Sequence, residues 1–381
     1  MTLTPYPPRL MQTILNLEKT MDLIAPTNLA EPWDNVGLLI GERTAPLKRV
    51  VLCIDLCEAV LAEAMRANAQ AIVAYHPPIF HPLKSVTDKT AEGRLLLGVI
   101  AAGIAVYSPH TAADAAVGGV NDWLASAFST RAHALRPSSA TDADVDHKIV
   151  TFVPPEHAES LRRTIVAAGA GIIGDYSNCS FSTSGEGTFL GGEPTSPVVG
   201  TAGNLERVEE LRLEFVCPAA LLPLVLDQLR AAHPYEECAL DVMPRLPQPR
   251  QSIGGGRVVT LEKPLLFSAI ADQLRTHLGT KRLIGHDPTP RRHHDRLGFC
   301  AGSGGDLLDE AIAQGCSVFI TGELTHHEVL RAGNNSCAVL LAGHTNTERG
   351  WLKVLRKNLA AALPGVKVTQ SRADSDPLRN L

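Results

Sequence analysis

Short apolar runs alternate with helix-patterned segments through the first and last thirds of this chain, and the runs end in polar turns. Val50 to Asp55 is apolar, Glu58 to Asn68 has helical spacing, and Ala71 to Tyr75 is apolar again until His76-Pro77-Pro78 cuts it off. Glu92 to Ala102 reads as a helix, Ile104 to Tyr107 as a strand ending in Ser108-Pro109-His110, and Val120 to Phe128 as a helix. The grammar returns with strands at Arg296 to Cys300, Cys316 to Ile320 and Cys337 to Leu341, separated by helical stretches to about Gln314 and from His327 to Ala332. Strands that are apolar throughout, rather than alternating, are buried on both faces, as parallel strands joined by crossover helices are. The expected fold class is α/β, with a mostly parallel-sheet core formed by the N- and C-terminal thirds.

The middle of the chain has another rhythm. Ser129 to Asp146 is irregular and marks a boundary. After it come a strand at His147, a helix from His157 to Ala168, strand and turn from Gly171 to Ser184, a strand at Leu211 to Cys217, a helix from Ala219 to Ala232, and a strand from Glu237 to Met243. That order predicts an inserted ferredoxin-like α+β module over 147–246, closed by the Pro- and Gly-rich Arg245 to Gly256. The core is then 1–130 together with 250–381, in two related halves.

Of 381 residues, 45% are hydrophobic and 20% charged, which excludes a disordered chain. A net charge of -5 argues against direct nucleic-acid binding, which needs clustered Lys and Arg. Eight cysteines are scattered without a CxxC pair, several within apolar runs, as free thiols of a reducing compartment are. The first twenty residues lack the basic-then-apolar pattern of a secretory signal, and no run reaches the ~18 apolar residues of a membrane span. The expectation is a cytoplasmic protein without membrane partners, with mitochondrial or nuclear placement as alternatives for a eukaryotic chain.

The placement of histidines carries the chemistry. His76, His110 and His344 each fall just beyond an apolar run, and His326 lies a few residues past VFITGE. The carboxyl ends of parallel strands gather on one edge of an open sheet, where ligands bind, so these residues should meet although they are distant in sequence. Asp114 follows His110 by four residues and Glu348 follows His344 by four, so each pair shares a face if its segment is helical. Mixed imidazole and carboxylate donors suit Zn, Fe or Mn. Any one of these histidines alone is better read as a hydrogen-bonded loop residue; four strand ends together argue for a metal site. The His233-Pro234-Tyr235-Glu236-Glu237 cluster reads as a helix-to-strand turn, and His293-His294 as a solvated polar loop. Gly302 to Asp306 has phosphate-loop character but lacks the Walker lysine. Cys53 and Cys57 read as core residues of a strand–helix corner.

EPWDNVGLLIG, AYHPPIF, YSPHTAAD followed by GGVNDWLA, TGELTHHEVL and AGHTNTERG occur in this order and resemble the NIF-three-like family, whose members also carry the label GTP cyclohydrolase I type 2 homologue. The YHPPIF and HTNTERG wording resembles the eukaryotic branch, and HPYEECALDV is similar to the family's inserted PII/CutA-like domain. The resemblance implies a toroidal homohexamer with two divalent metals per chain, held by a His-His pair, an Asp and the His and Glu of GHxxxE. Carried over, these are His76, Asp114, His344 and Glu348, with Tyr75 where the first histidine of the pair would stand. A phenol is a poor ligand near neutral pH because its reference pKa is about 10. His110, Glu323 and His326 are then replacement ligands or supporting partners, and Trp33, Asp34 and Asn35 line the cavity.

Two functions emerge as expectations. One is a metal-dependent hydrolase acting on a nucleotide or another phosphorylated or cyclic small molecule, with Glu323 or His326 moving the proton. The other is a non-enzymatic metal-binding scaffold, metal-delivery factor or protein that binds transcriptional regulators.

Overall fold

The apolar runs of the first third become strands of a five-stranded sheet in the order Gly37–Ile40, Ala105–Ser108, Ala71–Ala74, Arg49–Cys53, Lys367–Gln370. The computed structural model describes residues 11–138, 146–174, 176–195, 197–245, 250–281 and 283–378. Pairings in this sheet are parallel except for Gly37–Ile40, which lies antiparallel on the edge. The period of two explains why the inner strands are apolar at every position. Val50, Leu52, Ala71 and Val73 feed one hydrophobic core, and Val51, Cys53, Ile72 and Ala74 feed another on the opposite face.

A second five-stranded sheet runs Arg257–Leu266, His293–Ser303, Val318–Glu323, Ala338–Leu341, Ile284–His286. Its inner pairings are parallel and both edges antiparallel. Leu297, Phe299, Val318, Ile320 and Leu340 join the same core as Val50 and Leu52. Helices Ile14–Ile24, Phe267–Leu278 and Trp351–Ala362 bury Leu17, Leu274 and Leu355 in that shared core. The fold is therefore mixed α/β, with parallel and antiparallel strands in both sheets. The last third builds a sheet of its own and returns only Lys367–Gln370 to the first.

The described residues divide into two units, one combining the chain up to Ser138 with the chain from Arg250 onward, the other formed by the stretch between them. The second unit has an antiparallel sheet ordered Ser180–Leu190, Leu205–Cys217, His147–Val153, Leu240–Pro244. Helices Pro155–Ala167 and Leu222–Ala232 pack Leu161, Ile165, Val225 and Leu229 against Ile149, Leu213 and Phe215.

Several local expectations change. His293 and His294 belong to the strand His293–Ser303, and His294 is fully buried rather than solvated. Its pKa is lowered, chiefly by desolvation, so the ring packs as a neutral group. Cys57 is exposed at the start of the helix Glu58–Arg66, while Cys53 is buried. By contrast, His233-Pro234-Tyr235 is the expected helix-to-strand turn, pinned by the Tyr235 amide donating to His233 Nδ1 at 3.1 Å. Among the described residues no helix is long and apolar enough to cross a membrane.

Candidate metal centre

Strand ends from both sheets converge on Glu348. His76 follows Ala71–Ala74 in the first sheet, and His344 follows Ala338–Leu341 in the second. One turn of 3₁₀ helix, Thr345–Thr347, carries Glu348 back towards His344. The Glu348 carboxylate oxygen Oε1 lies 3.2 Å from His344 Nε2 and 3.6 Å from His76 Nε2. Donor atoms of these three residues all lie within 4.8 Å of one another.

Each imidazole is oriented by a second carboxylate. His76 Nδ1 lies 2.9 Å from Asp55 Oδ1, and His344 Nδ1 lies 2.9 Å from Glu323 Oε1. With Nδ1 donating to these acids, both Nε2 atoms face Glu348. Metal-binding histidines are commonly held in this way, because the outer bond fixes the ring and raises its basicity.

The donor set fits a divalent ion on three counts. It offers two imidazole nitrogens and a carboxylate. Glu348 is buried, yet its Oε2 has no hydrogen-bond partner among the described residues, and a buried carboxylate oxygen left bare is costly. Gly302 leaves room beside the donors: a Cβ there would sit 2.7 Å from Glu348 Oε1 and 3.1 Å from His344 Nε2. Its φ of +66° is also one that glycine tolerates best. The glycine turn thus clears space for the donors at the end of His293–Ser303.

The electrostatics arise from these neighbours. Burial alone would raise the Glu348 carboxyl, but hydrogen bonds and charges from His344 and His76 hold it lowered. Desolvation opposes charge on His76, yet Asp55 and Glu348 raise it to about 10. The hydrogen bond to Glu348 raises His344 to about 9 against its desolvation. Without an ion, the cluster stores protons on its imidazoles.

Asp114 lies on the neighbouring helix His110–Ala115, and Tyr75 donates its hydroxyl to Asp114 Oδ1 at 2.5 Å. Burial lifts Asp114 to about 6, against the lowering effect of that bond. Burial, with the charges of Asp114 and Glu348, raises the Tyr75 phenol well above its ordinary value. Tyr75 is therefore held as a neutral donor.

His110 stands at the start of the same helix with its ring 5.3 Å from the His76 ring. Its Nδ1 lies 2.8 Å from Asp34 Oδ1, and Thr111 donates both its amide and its hydroxyl to Asp34 Oδ2. His326 is exposed at the start of the helix His326–Asn334, and its ring contact is with His327, 5.7 Å away, not with the triad. Thus His76, His344 and Glu348 form the cluster, Glu323 orients one of its rings, His110 and Asp114 flank it, and His326 has no bond to it. Sequence reasoning misses Asp55, although it ends an apolar run just as His76 does, and misses the room that Gly302 provides.

The second unit holds a cavity of about 390 Å³ beside the His233 turn, lined by Phe152, Phe189, Glu210 and Tyr235 among others. Its lining contains no histidine.

The family model Duf34/NIF3 (NGG1p interacting factor 3) matches residues 12–377. A GTP cyclohydrolase 1 type 2 homolog of Mycobacterium leprae is 34% identical over 364 residues, covering 93% of each chain. Rat NIF3-like protein 1 is 32% identical over 373 residues, covering 95% of this chain and 91% of its own. The crystal structure of a Bacillus cereus protein related to NIF3 superposes with a TM-score of 0.76 at 31% identity, covering 98% of this chain and 100% of that one. With a family model spanning nearly its whole length and relatives at this identity, the chain belongs to the DUF34/NIF3 family.

Proposed function

We propose that this protein binds a divalent ion (zinc, iron or manganese) through His76, His344 and Glu348, and uses it to hydrolyse a small molecule. The observation that carries this reading is the buried Glu348 carboxylate, whose Oε2 is bare and whose Oε1 faces two imidazoles already oriented by Asp55 and Glu323. A bound ion of this kind supplies Lewis acidity and lowers the pKa of water. Asp55 and Glu323 keep the Nε2 atoms presented, and Asp114, at about 6, can hold or release a proton near neutral pH. One ion is held firmly. A second position would rest on Asp114, and Tyr75 weakens it by occupying the Asp114 carboxylate.

Self-association belongs to the same proposal, with the toroidal hexamer as the expected form. Exposed Ile172, Ile173 and Tyr176, drawn together by the Ile173–Tyr176 backbone pairing on the second unit, support it. The strand-helix-strand-strand-helix-strand order of that unit supports the ferredoxin-like reading of the inserted module.

The deciding experiment is elemental analysis of anaerobically purified protein and of His344→Ala, with turnover assays on nucleotides and phosphoesters. Metal lost in the variant together with turnover supports the hydrolase. Metal bound in full by the variant rejects the site. A second reading, metal delivery without catalysis, draws support from the open rim of the cluster, where the His344 side chain is 37% exposed and that of Glu323 56%. The separation of His326 from the triad supports it too. Delivery predicts exchange of the ion with no substrate converted.

A further inference from the structure

The cavity of the second unit has a chemistry of its own. It encloses about 390 Å³, room for a small organic molecule, and Phe152, Phe189, Leu190 and Val198 give it apolar walls. Three carboxylates also line it, from Glu210, Glu236 and Glu237, and no lining residue is a Lys, Arg or His. Such a lining repels an anion, and a neutral apolar molecule would gain nothing from the acids.

One of these acids is held in place from two sides. His233 is buried, and its Nδ1 accepts from the Tyr235 amide, so the ring proton sits on Nε2, which donates to the Phe152 carbonyl at 3.0 Å. Desolvation lowers the His233 pKa and keeps the ring in this neutral form. The turn so fixed brings the Tyr235 hydroxyl to Glu210 Oε1, to which it donates at 2.9 Å. Gly187, on the paired strand Ser180–Leu190, gives the carboxylate room, since a Cβ there would collide with Glu210 Oε2. Other acids of this sheet are answered within the fold: Glu214 by Lys148 and Arg212, Glu186 by Arg207. Among the described residues Glu210 has no such cation, only the Tyr235 hydroxyl. Nor do the three acids converge on a point. Among the described residues, the one group of three such donors close enough for a single ion is His76, His344 and Glu348. A bare metal ion is therefore poorly served in this cavity, whereas an ammonium group on an apolar body meets both the acid and the walls.

We propose that this cavity binds a small organic ammonium ion, with its charge at Glu210 and its apolar body against Phe152 and Phe189. The proposal does not depend on the metal reading, because every residue it uses lies in the second unit. The apolar walls supply affinity for the body, and the positioned carboxylate supplies the choice of charge.

The test is calorimetric titration of the full chain with phenethylammonium, with phenethyl alcohol and phenylpropionate as its neutral and anionic counterparts. Wild type, Glu210→Gln, Gly187→Ala and Phe189→Ala are compared, each with its circular dichroism. Wild type should bind the ammonium at least about tenfold more tightly than the alcohol, the usual worth of a hydrogen bond to a charged group, and should not bind the carboxylate. Glu210→Gln keeps the shape of the side chain and should abolish that preference. Gly187→Ala keeps the charge but displaces the carboxylate, so it should weaken the ammonium more than the alcohol, which keeps the test open if Glu210→Gln fails to fold. Phe189→Ala should weaken both ligands alike. No ammonium bound by wild type, or equal affinity for ammonium and alcohol, overturns the proposal. So does binding of phenylpropionate, or a preference for the ammonium that survives both Glu210→Gln and Gly187→Ala, since the cation would then sit elsewhere on the chain.

Discussion

Tyr75, at the position where the family resemblance implies a histidine ligand, donates its phenol to Asp114 Oδ1 at 2.5 Å and so occupies a carboxylate that the resemblance also implies as a ligand. The phenol cannot readily ionise to replace the missing imidazole, because burial and two nearby carboxylates raise its pKa. Tyr75→His should therefore raise metal content from about one ion per chain towards two. Tyr75→Phe should leave the first ion in place and destabilise the fold by about 1.5–3 kcal/mol, the usual loss for a hydrogen bond to a charged partner. Elemental analysis and thermal unfolding of both variants check this. Unchanged metal content in Tyr75→His would mean that another residue already completes the second position.

Protonation gives the second prediction. His76 is raised to about 10 and His344 to about 9, from an ordinary value of 6.5. For groups raised in the folded state, the stabilisation is complete below about pH 6.5 and is lost as pH climbs through about 9 to 10. The metal-free protein should therefore lose thermal stability between pH 7 and 10. An ion needs neutral imidazoles, so its binding must displace these protons and should tighten by about tenfold per pH unit for each proton released. Calorimetry in buffers of different ionisation enthalpy counts those protons. A count of zero at pH 7.5 rejects the arrangement.

Gly302 offers a third test, because its missing side chain makes room for the donors. In Gly302→Ala the new methyl would press on Glu348 Oε1 and His344 Nε2, so metal binding should fall by at least about tenfold. Gly315→Ala is the control. It has a similar φ of +74°, with nothing within 4 Å of the added Cβ. It should cost only the backbone strain, about 1–2 kcal/mol, and keep its metal. Equal metal loss in the two variants would attribute the effect to general destabilisation.

The parts of this molecule that are legible in the sequence share one physical cause. Strands buried on both faces must be apolar at every position, so Val50 to Cys53, Ala71 to Ala74 and Ala338 to Leu341 stand out, and the residues just beyond their carboxyl ends lie on a shared edge. That rule finds His76 and His344, and the four-residue spacing from His344 adds Glu348. Ser180–Leu190 extends well beyond the expected Ser184 because its residues are nearly all exposed; its hydrogen bonds to Leu205–Cys217 hold it without an apolar pattern. The strand His293–Ser303 begins with polar residues that mimic a loop, yet packing buries His294. Gly302 reads as phosphate-loop chemistry because a glycine-rich turn does not reveal which neighbours need its space. The separation of His326 from the triad depends on where the helix His326–Asn334 begins, which Thr325 and Glu328 set through a reciprocal capping box.

Arg257 supplies the last prediction, which concerns the frame around the site. Its side chain is wholly buried, an unusual place for a guanidinium, and it is paired with Asp122 from the helix Val120–Ala125. It also donates to the carbonyls of Gly254, Gly256 and Ala116 at 2.8, 2.7 and 2.9 Å. These bonds tie the second sheet's edge strand to the chain just beyond Asp114. Arg257→Ala leaves those carbonyls and the Asp122 carboxylate without their donor, and breaking a buried pair from one side typically costs about 3–5 kcal/mol. Arg257→Lys keeps the charge but cannot reproduce the fork of donors, so it should recover only part of the loss. Chemical denaturation with Asp122→Asn as the second arm of a double-mutant cycle measures the coupling. If Arg257→Ala and Asp122→Asn prove additive, the ion pair carries no stability of its own, and the carbonyl bonds alone hold this joint together.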